Sequence, residues 1–515
     1  MSNCTAFLDV NARLGEKPAL IFPSTGEVFS FRALLEDACR IGGRLKQRGV
    51  VPGDRVCLYL APGARYVLWY FALWRIGAVA VPLNNVLRAD EVVSMLDDSG
   101  SMILVTDAVG YVETAESVQN HCSAIDIILD DSAEWKSECA GEAPFIRPVH
   151  CSCDQICQLQ YTSGTTGKQK GAILTHGNWM AAMDAEVDVL GLREKDIYLG
   201  IYPMAHVGVS WGISALKAGA TWVILERFDL DRYISLIEEY RATVIAGMPP
   251  VIHSLTRTPE GTEERMASAR EMISGGGPLH PSIWKEFHRR FGIPVINAYG
   301  LSETIVVGTG TAIRPEDYVY ATEFRSVGMP VGYSEVKIVD IEDPSREMPV
   351  GDTGEIALRG PGVARGYWNM PEETAEVFIE DGWFLTGDVG HLQENGMLSI
   401  TDRKKDMIVM SGWKIYPTEV EKTLIEHPAI DDIAIFGVPD DHRGEIPFAA
   451  VVPKVGQFIT LEDLQTYSRE RLAGYKVPRK MVLVAELPRV GGWKLLRREL
   501  RERYMDGSLC GKDNS

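Results

Sequence analysis

Tyr161-Thr162-Ser163-Gly164-Thr165-Thr166-Gly167-Lys168-Gln169-Lys170-Gly171 follows directly on Gln155-Ile156-Cys157-Gln158-Leu159-Gln160, a run that reads as a buried strand. A strand that empties into glycines, small hydroxyl residues and a lysine has the makings of a phosphate loop. The glycines let backbone N–H groups converge, the hydroxyls add donors, and Lys168 adds charge, so the segment can wrap a triphosphate. Thr162, Ser163, Gly164, Thr165, Thr166, Gly167 and Lys168 are its candidate contacts. It is not a Walker A loop: two residues rather than four separate Gly164 from Gly167, and Gln169 follows the lysine where Ser or Thr belongs. A flexible Gly/Ser turn is the bland alternative, and so dense a set of phosphate donors behind a buried strand argues against it.

On either side of this loop the chain alternates two periodicities. Residues 31–48 and 64–76 space their apolar positions as helices, while 55–60 and 78–82 read as strands. The same alternation continues through strand 221–225, helix 230–240, strand 244–246, helix 281–291 and strand 295–298. Such βαβ texture predicts an α/β fold with parallel sheets covered by helices. Near residue 328 the pattern changes to short strands and Gly-rich turns, which predicts a β-rich, barrel-like subdomain over 328–402. The charged run 402–406 then precedes a last unit, 403–515. There, helices over 417–426 and 461–472 and strands over 432–438 and 448–453 predict a small α+β domain. The expected division is therefore 1–402 and 403–515, with no fixed-period repeat in either part.

Composition excludes several classes. A net charge of −19 over 515 residues disfavours nucleic acid as a partner, since phosphate backbones require a basic surface. The opening residues lack an apolar run of signal-peptide length. The most apolar stretch, 66–83, contains Arg75 and Gly77 and ends near Pro82, so it reads as a buried helix and strand rather than a membrane span. Nine cysteines, an odd number, suit reduced thiols in the cytoplasm. His150, Cys151, Cys153 and Cys157 lie close together, but their spacing is not that of a zinc finger, and Cys157 sits in a strand where a small buried residue is expected. They read as structural cysteines. Nothing in the sequence sets an oligomeric state.

Further segments fall in a recognisable order: S-G-G-G-P-L at 274–279, N-A-Y-G-L-S-E-T at 297–304, G-W-F-L-T-G-D-V-G at 382–390, D-R-K-K-D-M-I-V-M-S-G-W-K-I-Y-P-T-E-V-E at 402–421, and L-P-R-V-G-G-W-K-L-L-R-R-E-L at 487–500. Together with the phosphate loop they resemble the motifs of the adenylate-forming superfamily, in its acyl-CoA synthetase branch, and the resemblance covers nearly the whole chain. It implies a large N-terminal adenylation domain, a mobile C-terminal domain and a hinge at 402–406, with Lys405 at the hinge position. It implies ATP, Mg²⁺ and coenzyme A, and a carboxylic acid activated as acyl-AMP and passed to CoA. Gly275, Gly276, Gly277 and Pro278 would lie along adenine with Asn297, Ala298, Tyr299 and Gly300. Glu303 would hold Mg²⁺, and Ser302 would donate to phosphate beside Thr165. Asp388 would accept from the ribose hydroxyls with Arg403 beside it. Lys494 would join the acyl carboxylate to the α-phosphate. Gly412 and Trp413 would line the pantetheine tunnel.

Taken one at a time, these residues have bland readings: Asp388 as a turn cap, Glu303 as a solvated carboxylate, Lys494 as a surface lysine. Their joint occurrence in register favours the functional set. Two departures stand out. Trp493 replaces a glycine of the lysine loop, so the turn falls to Gly492, and Gln169 stands where proline is common. His206 matches a position that gates the acyl pocket, and a core histidine satisfied by a carbonyl is the equal alternative. Val207, Trp211, Gly212, Met248 and Thr304 are the expected pocket walls. Their apolar character points to a medium-chain, alicyclic or aromatic monocarboxylate. Alternatives are an adenylation enzyme loading a carrier protein, a luciferase-like oxygenase and a non-catalytic nucleotide-binding protein.

Overall fold

A computed structural model of the chain describes residues 3–108, 114–140, 146–163, 169–320, 326–490 and 494–509. Of Ser163, Tyr320, Val490 and Lys494 it describes the backbone only. The chain divides into two compact units. One comprises Met1–Gly276, Pro281–Val336 and Leu358–Phe384; the other comprises Gly277–His280, Lys337–Ala357 and Leu385–Ser515.

The first unit is built on two sheets. Six strands run in the spatial order Asp126–Leu129, Ile103–Thr106, Arg55–Tyr59, Val79–Pro82, Ile156–Ser163, Gln169–Thr175. All neighbours in this sheet are parallel except the last pair, which is antiparallel with Tyr161 opposite Gly171 and Ser163 opposite Gln169. The phosphate loop therefore joins two strands of a hairpin. A second, nine-stranded sheet has a parallel interior through Val295–Leu301, Glu271–Ser274, Val244–Ala246, Ile197–Gly200, Thr221–Ile224 and Pro18–Phe22. Antiparallel strands close both of its ends.

Local sequence explains these elements. The helix Ala64–Ile76 is buried on every side and stops at Gly77, whose φ of 79° is the left-handed geometry of a helix end. The strand Val79–Pro82 follows at once, so the apolar stretch is core; among the described residues no helix is long and apolar enough to cross a membrane. Arg75, fully buried there, is paired with Asp9 at 2.6 Å, as a buried charge requires. The helix Phe31–Gln47 starts where the Ser30 hydroxyl accepts from the Ala33 N–H, and it buries Leu34, Ala38, Ile41 and Leu45 along one stripe.

The second unit holds most of a four-stranded sheet, Glu335–Val339, Gly354–Arg359, Phe384–Leu392 and Leu398–Arg403 in that order. It also holds a five-stranded sheet centred on Ile430–Asp440 and Gly444–Pro453. Ile435, Phe436, Val438, Val451, Val420, Leu424 and Leu464 form the core of that sheet and its helices. These strands are longer than their apolar runs, which had suggested 432–438 and 448–453, because backbone pairing continues from Ile430 opposite Pro453 to Asp440 opposite Gly444. The helices are shorter than expected, Pro417–Leu424 and Leu461–Arg469, each ending where its buried stripe runs out.

Candidate active site

In the first unit the candidate residues gather at the ends of the strands Glu271–Ser274 and Val295–Leu301, which pair with Ser274 opposite Asn297. Gly275 comes so close to the Ala298 carbonyl that a Cβ would sit 3.0 Å from its oxygen, and Gly276 follows in the left-handed region at φ 79°. Asn297 is buried and its Nδ2 donates to the Ser326 carbonyl at 3.0 Å. Ala298 and Tyr299 are buried beside it. The Ser274 hydroxyl is buried without a hydrogen-bond partner in the structure.

A tight turn then presents Ser302 and Glu303. The Thr304 hydroxyl accepts from the Leu301 N–H at 2.9 Å and lies 2.8 Å from the Val306 carbonyl, closing the turn on itself. Ile305 and Val306 both adopt positive φ, 47° and 52°. Two consecutive β-branched residues there are strained, and such strain collects where a side chain must be aimed. At Gly300 a Cβ would lie 1.5 Å from the Val306 oxygen, so no other residue fits. Glu303 itself is 8% exposed, and Oε1 accepts from the Tyr367 hydroxyl at 2.9 Å. Thr304, expected as a pocket wall, serves in the structure as the turn's internal hydrogen-bonder.

Thr162 and Ser163 are the last two residues of the strand before the phosphate loop; Gly164, Thr165, Thr166, Gly167 and Lys168 lie outside the described residues. Lys170, in the return strand, sits 5.1 Å from the centre of the Tyr367 ring. His206 caps the short turn Val207–Val209, its Nδ1 accepting from the Gly208 N–H at 3.2 Å. Val207 and Trp211 are buried at 1% exposure, and Met248 precedes the helix Pro249–Thr256. Gly212 lies flat against the Trp222 indole, where a Cβ would be only 2.2 Å from the ring. The helix Ser210–Lys217 that carries Trp211 and Gly212 is pinned by Glu186, fully buried, which accepts from Ser210 at 2.5 Å and Ser214 at 2.7 Å. Burial pushes the Glu186 carboxyl up to about 8, against the pull of the two serine donors.

In the second unit Asp388 and Arg403 are cross-strand partners, and Arg403 Nε lies 2.8 Å from Asp388 Oδ1. Next to them Glu355 accepts from the Gly387 N–H at 3.1 Å and pairs with Lys404 at 2.7 Å. Lys405 is held below its ordinary value by burial and then by Arg403, with Asp406 and Asp388 opposing. Asp402 is pushed up by burial, Arg497 resisting, while Oδ2 accepts from the Thr418 N–H at 2.6 Å. Gly412 is the second residue of a two-residue hairpin turn, Ser411 and Gly412 having φ of 50° and 84° and Met410 pairing with Trp413. Trp413 is 58% exposed and stacks on Tyr475 at 4.8 Å. Lys494 begins the strand that returns to Val490, and residues 491–493, with Trp493, lie outside the described residues. Gly277 and Pro278 fall in this unit.

Sequence reasoning missed Tyr367, Lys170, Glu186 and Glu355. Tyr367 reaches Glu303 across 64 positions, and no local pattern signals that contact.

A family model described as AMP-binding enzyme matches residues 7–368, and one described as AMP-binding enzyme C-terminal domain matches residues 419–492. A feruloyl-CoA synthase from an Amycolatopsis species is 34% identical over 484 residues, covering 93% of this chain and 94% of the relative. The ATP-bound crystal structure of MatB from Rhodopseudomonas palustris superposes with a TM-score of 0.91 at 30% identity, over 98% of this chain and 99% of that one. The o-succinylbenzoate CoA synthetase of Bacillus subtilis, in complex with its acyl-adenylate intermediate, gives a TM-score of 0.83 at 31% identity, over 96% and 97%.

Proposed function

The chain belongs to the AMP-binding enzyme family, and from that premise we infer that it is an AMP-forming acid–CoA ligase acting on an aromatic or alicyclic monocarboxylate. One observation carries the reading: the likeness to a feruloyl-CoA synthase runs through more than nine-tenths of both chains, adenylation and C-terminal parts alike. A carboxylate oxygen attacks the α-phosphorus of ATP, the bond to the β-phosphate oxygen breaks, and pyrophosphate leaves. The CoA thiol then attacks the acyl carbonyl, loses its proton and expels AMP.

Each step needs charge stabilised on phosphate or carbonyl oxygen. Lys494 and the loop residues Thr165 and Lys168 suit that task by residue type and position. Glu303 fits a hard cation by residue type: it is a buried carboxylate whose Oε1 accepts from the Tyr367 hydroxyl. Mg²⁺ held there would neutralise phosphate charge. Asp388, paired with Arg403 across the two strands, would accept from a vicinal diol such as ribose. Lys405, between the two parts of the family match, is the proposed hinge, with Gly412 and Trp413 on the CoA side of the second step. The buried Val207 and Trp211 favour a flat or ring-shaped acyl group. Eight cysteines are free thiols among the described residues, which suits the reducing cytoplasm.

The test is AMP release from ATP with CoA across ferulate, benzoate, cyclohexanecarboxylate, octanoate and malonate. Preference for ferulate, benzoate or cyclohexanecarboxylate is expected. Preference for malonate would remove the substrate assignment, and AMP release with a carrier-protein thiol but never with CoA would remove the ligase assignment.

A further inference from the structure

Cys157 was expected to be a buried structural cysteine beside His150, Cys151 and Cys153, and it is buried in the strand Ile156–Ser163. The partners it meets come from elsewhere. Cys4, near the start of the chain, and His176, the first residue of the helix His176–Val189, converge on it, and the three ligating atoms all lie within 4.8 Å of one another. Cys4 Sγ is 3.1 Å from His176 Nδ1. Cys4, Cys157 and His176 are 3%, 0% and 0% exposed.

We propose that Cys4, Cys157 and His176 bind a soft divalent cation, zinc foremost, which fastens the N-terminal segment to the strand and helix behind it. Two thiolates and an imidazole are the donor set that selects zinc over magnesium or calcium. Zinc–sulfur bonds of about 2.3 Å and zinc–nitrogen bonds of about 2.0 Å at tetrahedral angles put sulfur and nitrogen about 3.5 Å apart and two sulfurs about 3.8 Å apart. The 3.1 Å between Cys4 Sγ and His176 Nδ1 would open by about half an ångström to reach that geometry, and the whole cluster already lies within 4.8 Å. His176 Nδ1 accepts from the Cys4 N–H at 3.3 Å, which marks it as the ring nitrogen that carries the lone pair; a bound cation would take that lone pair in place of the amide. Charge also closes: on binding, two thiol protons pass to solvent, and two thiolates with a neutral imidazole cancel the dication, so a neutral site remains in a fully buried place. Cys151, buried as well, interacts with the same imidazole and is within the Asn3 amide's reach at 3.6 Å, the kind of outer contact that orients a ligating ring.

The full chain is purified under reducing conditions without added metal, then dialysed against one equivalent of zinc, and metal is counted by mass spectrometry. About one zinc per chain is expected in the wild type and in Cys39→Ser, a buried thiol outside the cluster, falling about tenfold or more in Cys4→Ser and Cys157→Ser. Cobalt in place of zinc should give the intense near-ultraviolet thiolate-to-cobalt absorption, which reports the site in the wild-type protein even where a variant fails to fold. Less than a tenth of an equivalent of zinc together with no such absorption overturns the proposal. Equal zinc in wild type and both cluster variants overturns it, as does a Cys4–Cys157 disulfide in the peptide map of the unreduced protein.

Discussion

At the scale of single residues, the chemistry rests on side chains whose surroundings restrict what they can do. Glu303 is buried yet aimed, one oxygen held by the Tyr367 hydroxyl at 2.9 Å. Glu303→Gln keeps the shape and the hydrogen bond but removes the charge a magnesium ion would need. Acyl-AMP formation should fall at least tenfold, equivalent to about 1.4 kcal/mol, with the loss deepest at limiting Mg²⁺ and the melting temperature little changed. Pyrophosphate exchange measured against Mg²⁺ concentration checks this; an unchanged magnesium dependence would remove Glu303 from the metal. Tyr367→Phe should produce a smaller loss of the same kind, because it frees the carboxylate's orientation without discharging it. Glu303 could be found from sequence because it sits inside a dense motif. Tyr367 could not, since its role exists only once residues far apart in the chain are folded together.

Elements add a second layer, because turns and helices set where those side chains point. The Ile305–Val306 turn costs strain of order 1–3 kcal/mol per residue and leaves room for nothing larger than glycine at Gly300. Gly300→Ala should therefore lower the melting temperature and abolish adenylation together, by about 3 kcal/mol or more of stability; a variant of wild-type stability would mean the turn relaxes easily. The helix carrying Trp211 and Gly212 depends on Glu186, whose carboxyl stays protonated in the folded chain up to about pH 8 and is ionised in the unfolded one above about 4.3. The folded state thus holds one proton more between those values. Its contribution is full below the lower value and declines as pH rises to the upper, by about 1.4 kcal/mol per unit. Glu186→Gln keeps the serine contacts and should flatten that part of the curve; urea unfolding at pH 5, 6 and 7 in both proteins decides, and parallel curves would refute it. Legibility followed the same division. The helices 64–76, 230–240 and 281–291 were readable to the residue, since apolar residues at helical spacing mark each body and local signals such as Gly77, Asp229 and Pro281 mark their ends. The hairpin around the phosphate loop and the extended pair Ile430–Asp440 and Gly444–Pro453 were not, because backbone pairing ignores side-chain polarity.

Over the whole molecule, one chain must carry out two chemistries on one acyl group, first building charge on a phosphate and then admitting a thiol to a carbonyl. On the proposed reading Lys494 serves only the first, because only there does a carboxylate meet the α-phosphate. Lys405 is the proposed hinge for the passage to the second, lying in the segment that leads from the strand ending at Arg403 toward the turn of Gly412. The two substitutions should therefore separate the half-reactions. Lys494→Ala should cut acyl-AMP formation from ATP by about a hundredfold or more, the scale of losing one charged donor at a transition state, and should leave thioester formation from supplied acyl-AMP close to wild type. Lys405→Pro fixes φ near −65° and removes an N–H, so it should spare acyl-AMP formation and slow the thiol step. Single-turnover assays started from ATP plus acid, or from acyl-AMP plus CoA, read each step alone. Circular dichroism confirms that both variants are folded. If each variant loses both half-reactions to the same degree, the two steps share one arrangement of the site, and the division of labour between Lys494 and Lys405 is wrong.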